Sequence, residues 1–271
     1  MTRVMGILNV TPDSFSDGGL FAECDAAIAQ GLALARDGAD LVDVGGESTR
    51  PGAARVSPAE ELARVIPVVR ALVEEGVTVS VDTMRAATAR AAVAAGASIV
   101  NDVSGGLADP DMGATVADLG CDMVAMHWRA HSQTMDAADV YADVVAEVRA
   151  ELAARVDALA AAGVAPERII LDPGLGFAKV THSNWPLLAH LDHIAQGHRV
   201  LVGASRKRFV GAVIDRPGRD TSPAHREHAT TAVTTLAAER GVWGVRVHDA
   251  AAAADAIAVV NAWVSAAQGP R

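Results

Sequence analysis

The chain has 271 residues, of which 51% are hydrophobic and 3% are aromatic. This length and composition allow a large buried core, which excludes intrinsic disorder and fits one sizeable α/β domain or two small domains. The formal net charge of −10 disfavours nucleic acid as the main ligand, because phosphate backbones are bound by basic surfaces. An anionic ligand would therefore need a few local cations.

Short β-branched runs alternate with alanine-rich stretches of helical periodicity along the whole chain. Eight runs predict strands at residues 4–10, 41–45, 77–81, 99–101, 123–126, 169–171, 200–203 and 242–247. The stretches between them predict helices that include residues 25–36, 58–74, 85–95, 140–162 and 249–266. Eight βα units in a chain of this length predict an α/β fold, a (β/α)8 TIM barrel, as a single domain over residues 1–271. The alternative is a doubly wound open sheet, which usually has a G-x-G-x-x-G turn after its first strand; this chain has TPDSF there.

Three features of the sequence bear on where the protein resides. The first strand-like run begins at Val4, with no basic segment, long apolar region or cleavage site before it, so we expect no secretion signal. The longest run without Asp, Glu, Lys or Arg, residues 256–270, is too short to cross a bilayer, so we expect no membrane span. Cys24 and Cys121 have neither C-x-x-C nor metal-ligand spacing, which favours two reduced thiols and a cytoplasmic protein.

Four irregular segments interrupt the alternation of strands and helices. They cover residues 11–23, 49–57, 129–139 and 216–223. No Pro/Ser-rich linker accompanies them, so they are interpreted as active-site loops and not as domain boundaries.

Polar side chains follow the predicted strands at their C-terminal ends, where the chemistry of TIM barrels takes place. Acceptors and an amide at Asp82, Asn101 and Asp172 suit a planar heterocycle with N–H groups along one edge. Lys207, Arg246 and His248 follow the last two strands, where these barrels commonly bind phosphate. The pattern therefore indicates a phosphate or diphosphate ligand.

Simpler interpretations compete with this one. Asp82 or Asp172 alone could be a helix N-cap or turn former, and the pair could be the two carboxylates of a glycosidase, although the scarcity of aromatic residues disfavours a sugar cleft. For Arg206 and Arg208 a solvated face or a carboxylate partner is favoured over ligand contact. The histidine pairs His190/His193 and His225/His228 lack a cluster that would complete a zinc site, which favours exposed helix faces.

Two long motifs and five short ones carry a family resemblance. The long motifs are MGILNVTPDSFSDGG at residues 5–19 and GGESTRPGA at residues 45–53; the short ones are SVDT, NDVSGG, DPGLGF, SRK and RVH at residues 80–83, 101–106, 172–177, 205–207 and 246–248. In this order they resemble the dihydropteroate synthases, folate-pathway enzymes that sulfonamide drugs inhibit. Departures from the commoner family pattern are His127-Trp128-Arg129 and Ala178.

The resemblance implies an enzyme that joins 6-hydroxymethyl-7,8-dihydropterin diphosphate to p-aminobenzoate, with magnesium (Mg2+) as cofactor and a homodimer as the assembly. Nucleic acid and membranes are not expected as partners. The pterin pocket would contain Asp82, Asn101, Asp172 and Lys207 with Met126 lining it, and the catalytic residues among them are Asp82, Asp172 and Lys207. The other implied positions are Asn9 for magnesium; Thr49, Arg246 and His248 for the diphosphate-bearing substrate; and Ser48, Arg50, Pro51, Phe177 and Ser205 for p-aminobenzoate.

Two related functions remain as alternatives. A pterin-binding methyltransferase domain would share the barrel, but it would not need residues 48–52 or the cations for diphosphate. A non-catalytic pterin-binding paralogue would keep the pocket and lack turnover.

Overall fold

Eight parallel strands form a closed barrel, in which each strand pairs with the next along the chain and the last strand returns to the first. The computed structural model describes residues 1–11, 19–48, 55–130, 139–179 and 181–267. The strands are β1 (Arg3–Asn9), β2 (Leu41–Gly45), β3 (Val79–Asp82), β4 (Ile99–Asp102), β5 (Asp122–Met126), β6 (Ile169–Asp172), β7 (Arg199–Val202) and β8 (Gly244–Val247). Closure pairs Arg3 with Gly244 and Met5 with Arg246. The predicted single-domain TIM barrel is thereby confirmed.

The described helices surround this barrel. They are α1 (Gly19–Arg36), α2 (Pro58–Glu74), α3 (Ala86–Ala94), α4 (Met112–Leu119), α5 (Val144–Ala161), α6 (Thr181–Ala189), α7 (Leu191–Ala195), α8 (Arg208–Val213), α9 (Glu227–Glu239) and α10 (Ala250–Ala267). α1 begins six residues before the predicted start at residue 25, so the end of the predicted loop 11–23 is helical. α5 begins later than predicted, because the Asp143 side chain accepts from Val145 N at 3.0 Å and Ala146 N at 3.1 Å and so caps the helix.

The interior of the barrel is closed by apolar side chains toward the N-terminal ends of the strands. One buried cluster there consists of Met5, Leu41, Ile99, Val124, Ile170 and Leu201. A larger cluster fills the space between the strands and the surrounding helices. Strands buried on both faces agree with the near-continuous apolar runs in the sequence. Polar side chains of the barrel interior are consequently found toward the C-terminal ends of the strands, here called the barrel mouth.

One described helix, α10, is long and apolar enough to span a membrane by length and composition alone. This differs from the expectation drawn from uncharged runs, because the helix includes Asp255 and begins before it. In the structure α10 packs on β1, β8 and α9, with Ala253, Ile257 and Val260 buried. The apolar residues on the buried side of α10 are therefore explained by its packing against the barrel.

Candidate active site

A buried ion-pair cluster lies at the barrel mouth across β2, β3, β4 and β8. Arg246 donates from Nε to Asp43 Oδ2 at 2.6 Å and from Nη2 to Asp82 Oδ2 at 2.8 Å. The Asn101 amide donates from Nδ2 to the same Asp43 oxygen at 2.9 Å. Asp43, Asp82 and Asn101 are all buried. The structure therefore brings together the predicted Asp82, Asn101 and Arg246, and it adds Asp43, which sequence reasoning missed.

A second group, on β6 and β7, faces the same space. Asp172 Oδ1 accepts from Gly174 N at 2.7 Å, so this residue does form a turn with one carboxylate oxygen. Its other oxygen and the Lys207 amine converge near Gly203: a Cβ built on Gly203 would lie 3.6 Å from Asp172 Oδ2, 3.8 Å from Lys207 Nζ and 3.9 Å from Arg246 Cβ. A side chain at position 203 would therefore begin in contact with all three residues.

Lys207 is held from the side of the loop that follows β6. Its amine donates to Leu175 O at 2.5 Å and lies 4.7 Å from the centroid of the Phe177 ring. The neighbouring Arg206 pairs with Glu227 instead. Of the two cations, Lys207 is thus the one that joins the site, and Arg206 has the carboxylate partner that the sequence favours.

Burial sets the ionisation of the carboxylates and the amine in this site. The pKa of Asp82 is raised to about 7 by burial, with Arg246 opposing this and the nearby carboxylates of Asp43, Glu61 and Asp102 adding to it. Burial also raises the pKa of Asp172, although the Lys207 charge opposes it. The pKa of Lys207 falls to about 8, because burial outweighs the attraction of Asp172. Groups poised near neutrality in a cleft are typical of binding and catalytic sites.

Ser205 and His248 form a polar pair between the ends of β7 and β8. Ser205 Oγ lies 2.9 Å from His248 Nδ1 and accepts from the His248 backbone N–H at 3.2 Å. Met126 is buried at the end of β5, and Phe177 is half-buried. These four predicted residues therefore lie at or beside the barrel mouth.

Some predicted residues fall at the limits of the described structure. Thr49, Arg50 and Pro51 lie outside the described residues. Ser48 is half-buried at the last described position before them. Asn9 ends β1 opposite Gly45 in the register of β2 and is half-buried.

A buried lysine, Lys179, holds the loop between β6 and α6 through hydrogen bonds to backbone carbonyls of this loop. Its amine donates to Gly174 O at 3.0 Å and Phe177 O at 2.9 Å, and it lies 2.9 Å from His127 Nδ1. His127 Nε2 lies 2.9 Å from Glu151 Oε2. A carboxylate at Nε2 favours the neutral tautomer with a proton on that nitrogen, so Nδ1 accepts from Lys179. A single lysine after a glycine-rich turn gave no signal of this role in the sequence.

The two histidine pairs considered as zinc ligands, His190/His193 and His225/His228, are exposed. His190, Asp192 and His193 place their ligand atoms within 4.8 Å of one another, so a carboxylate does accompany this pair, contrary to the sequence interpretation. All three residues are exposed. His225 lies 3.0 Å from Asp220 and is also exposed. These groups are therefore surface features outside the barrel mouth.

Comparisons with known proteins bear on this arrangement. Residues 5–248 match the family model described as "Pterin binding enzyme". A curated relative, the dihydropteroate synthase of Mycobacterium leprae, is 53% identical over 99% of this chain and 95% of its own length. Among solved structures, a Xanthomonas albilineans dihydropteroate synthase with 4-aminobenzoic acid is similar at a TM-score of 0.89 and 47% identity, covering 100% of this chain and 94% of the other. The same organism's enzyme in complex with 7,8-dihydropteroate is similar at a TM-score of 0.86 and 45% identity, covering 100% and 95% of the two chains.

Proposed function

Because the chain belongs to the pterin-binding enzymes, and within them to the dihydropteroate synthase family, we propose that it joins 6-hydroxymethyl-7,8-dihydropterin diphosphate to p-aminobenzoate. The products are 7,8-dihydropteroate and diphosphate, which makes the chain a transferase of folate biosynthesis. The observation that carries the mechanism is the convergence of Asp82, Asp172, Lys207 and Arg246 at one barrel mouth. Neither the glycosidase nor the methyltransferase alternative has a counterpart in the relatives reported above.

The carboxylates and the amide bind the pterin ring. Asp82 and Asp172 accept from ring N–H groups, and Asn101 can accept on one side of its amide while it donates to Asp43 on the other. Lys207 donates to the ring from the side of Asp172, where its amine lies against Phe177. Asp82, Asn101 and Asp172 are buried, which strengthens their hydrogen bonds to the ring.

In the reaction a carbon–oxygen bond breaks, a carbon–nitrogen bond forms, and one proton is transferred from the amine. The bond between the pterin methylene carbon and the diphosphate oxygen breaks, and its electron pair leaves with diphosphate. The positive charge left on the methylene and the conjugated ring is stabilised by the carboxylates of Asp82 and Asp172. The arylamine nitrogen of p-aminobenzoate then supplies its lone pair to the methylene carbon, and the proton lost from this nitrogen passes to the released diphosphate or to water. No protein nucleophile is needed.

Arg246 on β8 and His248, which follows this strand, are suited to the leaving group. Arg246 and His248 carry donors on the side of the barrel where the loops of the last two strands commonly bind phosphate. Ser205 keeps the His248 ring oriented through its hydroxyl at 2.9 Å. Phe177 and Ser205 flank the space for p-aminobenzoate, and Ser48, Thr49, Arg50 and Pro51 are proposed to complete it.

Asn9 fits a magnesium site only as one ligand among several. Its amide oxygen is the hard ligand that Mg²⁺ accepts, but Gly45, its register partner, adds no side chain. Mg²⁺ typically keeps several waters and binds through substrate phosphates, so Asn9 would hold it together with the diphosphate. The ion would neutralise charge on the leaving group.

We also propose a cytoplasmic homodimer. The free thiols of Cys24 and Cys121 are compatible with a reducing compartment. Exposed apolar side chains on the two helices that pack together beside β8, Leu236 on α9 and Val259 and Trp263 on α10, supply a face for a second copy.

A two-substrate assay tests the proposed reaction. Purified protein with magnesium is expected to release diphosphate only when the pterin diphosphate and p-aminobenzoate are both present, with dihydropteroate formed in equal amount by mass spectrometry. Omission of either substrate is the control. Tight pterin binding without turnover would instead support the non-catalytic paralogue, and methyl transfer without condensation would support the methyltransferase.

A further inference from the structure

Asp43 is a fully buried carboxylate in the middle of β2, beneath the residues that meet the pterin. Its Oδ2 atom accepts from Asn101 at 2.9 Å and from Arg246 at 2.6 Å. Its Oδ1 atom has no hydrogen-bond partner among the described residues. The two hydrogen bonds to one buried oxygen fix the position of the Asp43 carboxylate. They also fix the orientation of the Asn101 and Arg246 side chains that donate them.

The contact with Asn101 decides which end of the amide faces away from Asp43. An amide oxygen next to the carboxylate would repel it, whereas the NH₂ group donates to it, so Nδ2 is directed to Asp43. Oδ1 is thereby directed away and can accept from an N–H of the pterin. Without Asp43 the Asn101 amide can adopt both orientations. In one of them its NH₂ group faces the N–H group of the pterin, and no hydrogen bond can form.

The contact with Arg246 holds the guanidinium where it also reaches Asp82. Arg246 uses Nε for Asp43 and Nη2 for Asp82, so the two carboxylates fix the plane of the guanidinium. The charge of Asp43 also acts directly on Asp82. Loss of either effect would change how readily Asp82 is ionised when the pterin arrives.

We propose that Asp43 is a positioning residue for the pterin pocket: it orients the Asn101 amide and the Arg246 guanidinium through one shared oxygen. This inference rests on the proposed function, because it specifies how that pocket is arranged before the substrate binds. Asp43 acts through Asn101 and Arg246 and is not itself a catalytic residue.

Two variants separate the hydrogen bonds of Asp43 from its charge. Asp43→Asn keeps an acceptor oxygen of the same shape and removes the charge, whereas Asp43→Leu removes both. Ser80→Ala is the matched control, because Ser80 is the register neighbour of Asp43, is equally buried, and has a hydroxyl without a partner among the described residues. Calorimetric titration with 6-hydroxymethyl-7,8-dihydropterin, without p-aminobenzoate, measures Kd from pH 5 to pH 9.

At pH 8 we expect Asp43→Leu to raise Kd about tenfold or more, and Asp43→Asn and Ser80→Ala to stay within about threefold of wild type. The charged groups that act on Asp82 are Arg246 from β8, Asp43 from β2, Glu61 from α2 and Asp102 from β4. Because the Asp43 charge raises the pKa of Asp82, its removal lowers that pKa. The acid limb of binding in Asp43→Asn should therefore move to lower pH by about one unit.

The outcomes distinguish the inference from the proposed function. If the wild-type protein does not bind the pterin, the proposed function is wrong. If it binds, and Asp43→Leu binds within threefold of wild type, or Asp43→Asn has the wild-type acid limb, the inference is wrong. Should Asp43→Leu fail to fold by circular dichroism, the acid limb of Asp43→Asn still decides, since that variant keeps the shape of the side chain.

Discussion

Lys207 shows how one residue can connect two parts of the site. Its amine donates to a loop carbonyl at Leu175, faces the Phe177 ring at 4.7 Å, and lies near Asp172 across Gly203. Burial lowers its pKa to about 8, which means that the charged amine of Lys207 lowers the free energy of unfolding. We expect a residue that destabilises the fold in this way to have a role in binding.

Lys207→Ala is therefore expected to weaken pterin binding while the fold stays intact. The variant loses a charge-assisted donor to the ring, so we expect Kd for the pterin to rise at least about tenfold. The thermal midpoint should stay within about 3 °C of wild type, because the desolvation of the amine is removed with it. Calorimetric titration and thermal unfolding measure the two quantities.

Arg208→Ala is the control for Lys207, since Arg208 is the next residue and is exposed. It should bind the pterin as wild type does. A large drop in the thermal midpoint of Lys207→Ala, with unchanged Kd in the protein that remains folded, would assign Lys207 to the fold instead.

His127 should contribute a pH-dependent part of the stability. Burial lowers its pKa to about 4 in the folded protein, whereas an unfolded chain binds the proton near pH 6.5. The unfolded state therefore binds more protons between these values, and the free energy of unfolding falls as pH falls from 6.5 to 4. The loss amounts to about 3 kcal/mol.

His127→Gln should abolish that part of the pH dependence. Urea unfolding at pH 7, 5.5 and 4 is expected to show the variant losing less stability than wild type on acidification. The buried carboxylates Asp82 and Asp102, whose pKa values are raised to about 7 and about 6, act in the opposite sense but are present in both proteins and cancel in the difference. Parallel pH curves for the two proteins would contradict the assignment.

The loop between β6 and α6 is an element built on left-handed backbone. Gly174 has φ +66° and Ala178 has φ +49°, the latter at the position where the sequence departs from the commoner glycine. A Cβ on Gly174 would lie 2.3 Å from His127 O, so the close approach of the loop to β5 depends on glycine there. Lys179 then ties the carbonyls of Gly174 and Phe177 to this position.

Gly174→Ala should disrupt this element more than an ordinary glycine replacement would. Gly120 has φ +61° and nothing within 4 Å of its Cβ position, so Gly120→Ala carries backbone strain alone. We expect Gly174→Ala to lose about 2 kcal/mol more than Gly120→Ala, or about 5 °C in thermal midpoint. Equal midpoints for the two variants would show that the loop can relax away from His127.

The same elements show what the sequence can and cannot predict. The apolar runs located all eight strands because most residues of each strand are buried, but β3 and β8 each start two residues later than predicted. Val77 explains the later start of β3: its N–H donates to Leu72 O at 3.0 Å, which leaves Val77 outside the ladder. A β-branched residue favours extended backbone without specifying its hydrogen-bond partner.

Site residues could be predicted where a polar or charged side chain stands at or just after the C-terminal end of a strand, as at Asp82, Asn101 and Lys207. Asp43 was missed although a lone carboxylate inside the apolar run LVDVG was visible, because its partner Arg246 is 203 residues away. The contact of Lys179 with His127 was missed for the same reason. Such pairings arise only when the barrel brings distant strands together.

At the scale of the whole molecule, the exposed face of α9 and α10 should decide the oligomeric state. Leu236 is 59% exposed and Trp263 is 73% exposed, on helices that pack against each other. We expect wild-type protein to sediment as a dimer and Trp263→Glu as a monomer, because a carboxylate cannot be buried unpaired in an apolar interface. Leu107→Glu, after β4 on the other side of the barrel, is the control and should remain dimeric; a dimeric Trp263→Glu would place the interface elsewhere.

The closure of β1 onto β8 has a consequence for biosynthesis. Arg3 pairs with Gly244, so the first strand waits for its second neighbour until 241 further residues have been translated, roughly 10 to 50 s at usual elongation rates. Through that interval β1 presents an unpaired edge of the kind that promotes aggregation. The nascent chain therefore completes its ring only after β8 has left the ribosome.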